Sequence, residues 1–202
     1  MKTDLSTDSK VIMKRIFAAI NISDEARAKV AGYIENLRRE FSNLRVGWDK
    51  AEKLHLTLKF LGETDEKQLG NLTEAVENIA RQVSDFKLQI VGTGVFPAKR
   101  NARILWLGIV DENDSLLQLN EILERECEKK GFQKERRNFK AHLTIARLRE
   151  PDKSKRLVEK HLQNEFSPVE FAVSELAIYE SKLQSTGSIY ETIKNVKLKI
   201  QN

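Results

Sequence analysis

The tripeptide His-Leu-Thr stands twice in this chain, at His55-Leu56-Thr57 and His142-Leu143-Thr144, and uses two of its three histidines. Each copy lies in an apolar, β-prone run, LHLTLKFLGE and AHLTIARLRE. Residues i and i+2 of a strand share a face. Each run therefore presents an imidazole beside a hydroxyl, while Leu54, Leu56, Leu58, Leu143 and Ile145 face the other way. Two imidazoles brought to one substrate can serve as general acid and general base, and two threonine hydroxyls can donate to an anionic oxygen. Such a set suits phosphodiester chemistry without a metal. A single HLT would be ordinary strand material, since Thr and Leu sit well in sheets; the repetition in like surroundings points to a shared site.

The elements that must position these residues follow from periodicity. Arg15 to Ile22 reads as a strand, and Ser23 is placed to cap a helix in which Ala26, Val30, Tyr33, Ile34, Leu37 and Phe41 recur at helical spacing. Short strands are expected near Leu44 to Trp48 and Leu54 to Leu61. Thr64 is expected to cap a second helix (65–83) with Leu69, Leu72, Val76, Ile79 and Val83 on its buried stripe. Strands at Phe86 to Val95 and Ala102 to Val110, joined by a turn with Pro97 and Asn101, lead to a helix near Asp114 to Lys130, stopped by Gly131. A basic stretch, Lys134 to Lys140, precedes the second HLT strand. After it come a helix at 153–163, a long strand from Phe166 to Tyr179 and a last one from Ser188 to Ile200. Strands and helices in no regular βαβ alternation indicate an α+β fold of largely antiparallel sheets. Only tertiary structure can bring the two HLT strands together.

A chain of 202 residues is long enough for a real core. Its net charge of +5 suits a surface that tolerates a polyanion. The one cysteine, Cys127, excludes an intrachain disulfide, and its place on the stripe Leu116, Leu119, Leu123, Cys127 assigns it to a helix interior. No stretch has the roughly 20 apolar residues needed to span a bilayer, and the start MKTDLSTDSK lacks the apolar region of a secretory signal. A cytoplasmic location is expected, with residues 1–13 as a disordered lead and 14–202 as one bilobal domain.

The residues just described resemble the two-histidine phosphoesterases, specifically the bacterial and archaeal RNA 2′,3′-cyclic phosphodiesterases, also called 2′-5′ RNA ligases. The likeness runs from Arg15 onward, through RIFAAINI, LHLTLKFLGE, GVFP with ARILWLGI, AHLTIARL and the closing SKLQSTGSIYETI. It implies two pseudo-symmetric lobes of mainly antiparallel sheet, with outer helices, around a central cleft fed by one HLT strand from each lobe. It implies hydrolysis of 2′,3′-cyclic phosphate ends to 2′-phosphates, with reversible 2′-5′ ligation as a minor activity and neither metal nor cofactor. His55 is then the acid protonating O3′ and His142 the base, while Thr57 and Thr144 hold the non-bridging oxygens. Arg147, five residues after His142 as in the family's HxTxxR pattern, becomes a further phosphate contact. Expected partners are RNA ends, tRNA fragments or cyclic nucleotides, with no membrane and a monomeric chain.

One of these expectations conflicts with strand geometry. Alternation from His142 and Thr144 puts Ala146 on the catalytic face and Arg147 on the opposite one, so the strand has to bulge or end there. Lys59 and Lys140 share the parity of their histidines and read either as phosphate attractors or as solvated lysines. Arg136, Arg137 and Lys140, with Phe132 and Phe139 nearby, form a patch that could steer RNA or simply be a solvated loop. Trp106 reads as core and His161 as a partly packed or helix-C-terminal cation. Gly92 and Gly94 form no phosphate loop. A non-catalytic RNA-end binder is the main alternative. A metal hydrolase fits less well, because neither motif carries H-E-x-x-H or clustered carboxylates.

Overall fold

In the computed structural model, which describes residues 12–185 and 187–200, four α-helices and nine strands form two sheets. The expected disordered lead lies outside the described residues, apart from Ile12 and Met13. In chain order the elements are β1 (Lys14–Asn21), α1 (Asp24–Glu40), β2 (Val46–Trp48), β3 (His55–Thr64), α2 (Glu66–Ala80), β4 (Phe86–Phe96) and β5 (Ile104–Val110). Then follow α3 (Ser115–Lys129), β6 (His142–Leu148), α4 (Lys155–Gln163), β7 (Val169–Val173), β8 (Glu175–Gln184) and β9 (Gly187–Lys197).

The sheets run β3-β1-β8-β9 and β2-β6-β5-β4-β7, with every neighbouring pair antiparallel. Helices α2 and α3 pack on the first sheet, α1 and α4 on the second, and β3 lies beside β6 where the sheets meet. Each helix turns an apolar stripe inward: Ala26, Val30, Ile34 and Leu37 in α1, Leu72, Val76 and Ile79 in α2, Leu116, Leu119, Leu123 and Cys127 in α3. These join the strand residues facing them in a shared core. This is the expected α+β class, with two antiparallel sheets and outer helices.

Several expectations need correction. Asp65, not Thr64, caps α2: its carboxylate accepts the Gln68 N–H at 2.7 Å while the Gln68 side chain accepts the Asp65 N–H at 3.1 Å. Thr64 is the buried last residue of β3, its hydroxyl donating to the Gly62 carbonyl. The long strand from Phe166 to Tyr179 is two strands, because the chain leaves the five-stranded sheet after Val173 and enters the other at Glu175. A 3-10 turn, Pro151–Ser154, precedes α4. His161 is no surface cation. It is wholly buried, with Nε2–H donating to the carbonyls of Gly94 (3.1 Å) and Trp106 (3.2 Å) and Nδ1 accepting from the Tyr33 hydroxyl (2.9 Å). Burial pushes its pKa down, which keeps it neutral between α1, α4 and the second sheet.

Candidate active site

The two HLT strands break regular pairing at the same place. In β3 the register with β1 jumps from Ala18↔Lys59 to Ala19↔Thr57, leaving Leu58 as an extra residue. In β6 the register with β5 jumps from Leu105↔Ala146 to Trp106↔Thr144, leaving Ile145 extra. Each bulge sends two consecutive side chains inward, Leu58 with Lys59 and Ile145 with Ala146. The next residue returns to the cleft face. This resolves the parity conflict at Arg147, which pairs with Ile104 and lines the same cleft as His142 and Thr144. The counterpart of Arg147 in the first strand is Phe60.

The cleft has a volume of about 1300 Å³, and its lining includes His55, Thr57, His142, Thr144 and Arg147. Structure therefore brings together all five of the residues singled out from the sequence. Each imidazole is held alike. His55 Nδ1 donates to the Lys53 carbonyl and His142 Nδ1 to the Lys140 carbonyl, both at 2.7 Å. A carbonyl can only accept, so Nδ1 carries the proton and each Nε2 is left as an acceptor on the cleft side. The Thr57 hydroxyl donates to His55 Nε2 at 3.0 Å.

Aromatic rings back both histidines. Phe17, Tyr179 and Tyr190 surround His55 at ring-centroid distances of 4.9, 6.0 and 5.2 Å. Phe96 and Trp106 flank His142 at 4.9 and 6.2 Å. Burial is the main cause that lowers both pKa values, to about 4 for His55, and the positive charge of Arg147 lowers both further. His142 contributes to the depression at His55, so the imidazoles sense each other's charge. In the free site both are neutral at pH 7.

Trp106 is half-buried behind His142, with its indole N–H enclosed, while Leu105 and Leu107 on the opposite face supply the core. Gly94 explains how the indole fits: a Cβ there would stand 2.1 Å from the Trp106 ring. Lys140 is held over Trp106 and Phe96, with Nζ at 4.7 and 5.4 Å from their centroids. In the basic patch, Arg137 and Phe139 line the cleft, Arg137 paired to Glu135, and Phe139 and Phe132 both pack on the core.

Lys59 fits neither reading offered by the sequence. Turned inward by the bulge, it pairs with Glu124 at 2.7 Å and donates to the Gln133 carbonyl at 2.8 Å. Glu124 also accepts the Glu135 N–H at 3.1 Å, and Asn120 donates to the carbonyl of the bulged Leu58 at 3.0 Å. Helix α3 so holds the first strand's bulge and the loop that leads into His142.

Other residues of the site carried no signal in the sequence. Arg27 of α1 reaches the carbonyls of Ile22, Ala51 and Leu54, bracing the turn before His55. Asp49, kept in place by its N–H to the Ile145 carbonyl at 2.9 Å, lies in the cleft. Burial raises its pKa against the pull of Arg147 and Lys53. Phe60 could have been found, since it occupies in the first motif the offset that Arg147 occupies in the second.

Among the described residues, no group of three or more His, Cys, Asp or Glu side chains gathers where a metal ion could be held. No helix among them is long and apolar enough to cross a membrane.

Comparison with known proteins places this geometry. Residues 25–184 match the model of the 2′-5′ RNA ligase superfamily. A Thermotoga maritima protein named RNA 2′,3′-cyclic phosphodiesterase is 36% identical over 180 residues, covering 89% of this chain and 92% of that one. A Methanocaldococcus jannaschii protein of the same name is 31% identical over 183 residues, covering 89% and 98%. Among solved structures, a Thermus thermophilus protein superposes with a TM-score of 0.76 at 26% identity, covering 93% of this chain and 100% of that one. Escherichia coli LigT complexed with 3′-AMP gives 0.71 at 26% identity, covering 93% and 99%. The bulged HLT strands and their shared cleft are set in a chain that belongs to the 2′-5′ RNA ligase superfamily.

Proposed function

We propose that this chain is an RNA 2′,3′-cyclic phosphodiesterase that opens cyclic phosphate ends to 2′-phosphates by acid–base catalysis between His55 and His142. The observation that carries the reading is the matched pair of imidazoles, each tethered at Nδ1 and offering Nε2 to one cleft beside Arg147. A binder of RNA ends would have no use for two aligned proton-transfer groups. The names of the curated relatives support the same reaction.

In the reaction, water attacks phosphorus opposite O3′. His142 Nε2 takes the water proton as the P–O bond forms, His55 gives its proton to O3′ as the P–O3′ bond breaks, and the 2′-phosphate remains. Protonation of His55 accompanies binding, because the anionic phosphate opposes the depression of its pKa. Once His55 is protonated at Nε2 the Thr57 hydroxyl can no longer donate to it and turns, with that of Thr144, to the non-bridging oxygens, whose charge Arg147 offsets. With a 5′-hydroxyl in place of water as the nucleophile, the same displacement of O3′ forms a 2′-5′ bond, His142 taking the hydroxyl proton and His55 protonating O3′. The substrates are RNA 2′,3′-cyclic phosphate ends, including tRNA fragments and small cyclic nucleotides. The protein acts as a cytoplasmic monomer, and its described residues from Lys14 onward form one bilobal domain.

The test is hydrolysis of adenosine 2′,3′-cyclic phosphate in EDTA, with products resolved by chromatography. Adenosine 2′-phosphate is expected. Mainly 3′-phosphate, or activity abolished by chelator, would overturn the mechanism, and tight binding without turnover would leave an RNA-end binder.

A further inference from the structure

Asp49 puts a negative charge on the wall of a cleft that has to receive an anion. Trp48 of β2 packs on the core, so alternation turns Gly47 and Asp49 to the opposite, cleft face. Gly47 pairs directly with Arg147, and the Asp49 N–H donates to the Ile145 carbonyl at 2.9 Å. Asp49 is thereby the diagonal cross-strand neighbour of Arg147, a relation that sets residues about 7–8 Å apart. Asp49, Lys53, Tyr190 and Arg147 line the cleft together with both catalytic histidines. The two cations have other partners: Arg147 hydrogen-bonds the Tyr190 hydroxyl, and Lys53 Nζ donates to the Ser188 carbonyl at 2.5 Å. Their charges reach the Asp49 carboxylate through space and oppose the effect of burial on it, so that it is ionised at pH 8.

We infer that Asp49 is the residue by which the cleft discriminates between phosphate charges, disfavouring the doubly charged monoester product relative to the singly charged cyclic diester. The inference rests on the proposed reaction and adds to it a determinant of product release. Opening the ring turns a phosphodiester with one negative charge into a phosphomonoester that carries nearly two above its second pKa of about 6. Arg147 and Lys53 attract a dianion more strongly than a monoanion, so by themselves they would make the product the better ligand. A fixed carboxylate on the same wall repels each unit of ligand charge, and so acts twice on the product and once on the substrate. Across a diagonal strand separation, at an effective dielectric between that of a protein surface and that of water, one unit of charge changes affinity about five-fold. The other duty open to such a carboxylate is to clamp Arg147. The diagonal placement, with Tyr190 as the hydrogen-bond partner of Arg147, favours action through space.

Calorimetry at pH 8 and fixed ionic strength compares adenosine 2′-phosphate with its methyl ester, which keeps the base and ribose but carries one negative charge, on wild type, Asp49→Asn and Asp49→Glu. Asp49→Asn is expected to tighten the methyl ester about five-fold and the dianion about 25-fold, moving the ratio of the two Kd values about five-fold toward the dianion. Asp49→Glu keeps the charge and should hold the wild-type ratio within about two-fold. An unchanged ratio in Asp49→Asn would overturn the inference, as would an equal shift in Asp49→Glu. Weaker binding of either ligand by Asp49→Asn would also overturn it, and would make the carboxylate a clamp for Arg147 or an acceptor for a ligand hydroxyl. These affinities need no turnover. Failure of wild type to hydrolyse adenosine 2′,3′-cyclic phosphate would therefore strike the proposed reaction, while the ratio still decides whether Asp49 senses phosphate charge.

Discussion

Replacing Lys59 by Met tests whether the inward turn of the first bulge organises the site. The ammonium and its partner Glu124 have side chains only 3% and 12% exposed, so losing one strands the other's charge away from water. Breaking a buried pair in this way costs about 3–5 kcal/mol. In a chain of this size each kcal/mol moves the melting temperature by about 2–4 °C. Lys59→Met should therefore melt about 6–20 °C below wild type. Lys59→Met with Glu124→Leu should recover much of the loss, because exchanging the whole pair for apolar side chains is close to neutral. Recovery stays incomplete, since the Gln133 carbonyl and the Glu135 N–H lose their partners. Calorimetric melting of the three proteins measures this. A single variant melting within about 2 °C of wild type, or a double variant no more stable than the single, would refute the argument that the pair is an internal staple.

Arg147→Ala should weaken adenosine 2′-phosphate binding about ten-fold or more, as a charge-assisted contact contributes roughly 1.5–3 kcal/mol. Unchanged affinity would mean that the bulge delivers Arg147 to the cleft without a phosphate to meet. The pH profile follows from both histidines being depressed below the ordinary value of about 6.5. The form with one proton on the pair peaks between two low pKa values, so kcat/KM should be greatest below pH 6.5, with kcat shifted upward because bound phosphate favours the imidazolium. A kcat/KM still rising at pH 8 would contradict this. Stability carries the same sign: His55 and His161 take up protons more readily unfolded, so the melting temperature should be level above about 6.5 and fall as pH drops toward 4. Gly94→Ala should lower both stability and activity, since its methyl would enter the Trp106 ring beside His142. Wild-type kinetics in that variant would show that the indole can shift freely.

What the sequence disclosed was whatever a period of two or 3.6 reports. His55, Thr57, His142 and Thr144 were legible as strand residues of one parity, and the helix stripes were legible down to Cys127. Alternation failed where a strand has a bulge. It put Arg147 on the wrong face and left Lys59 looking solvated, because an extra residue is invisible to a strict period. It also put Trp106 in the core, whereas the half-buried indole packs behind His142. His161 was misread because its partners, Tyr33, Gly94 and Trp106, come from three distant elements. Aromatic support for His55 from Phe17, Tyr179 and Tyr190 depends on strands far apart in the chain and left no local pattern.

The most direct test is the turnover of adenosine 2′,3′-cyclic phosphate by His55→Ala, His142→Ala and the double variant, each with its melting temperature. Acid and base acting in one transition state predict a loss of at least about 100-fold in each single variant. The double variant should lose far less than the product of the two, because groups that act as a unit are strongly non-additive. The variants should remain folded at the assay temperature, their melting temperatures lowered only by the lost contacts of each ring with its aromatic neighbours. Near-wild-type turnover in either single variant, or lost activity matched by unfolding, would contradict the account.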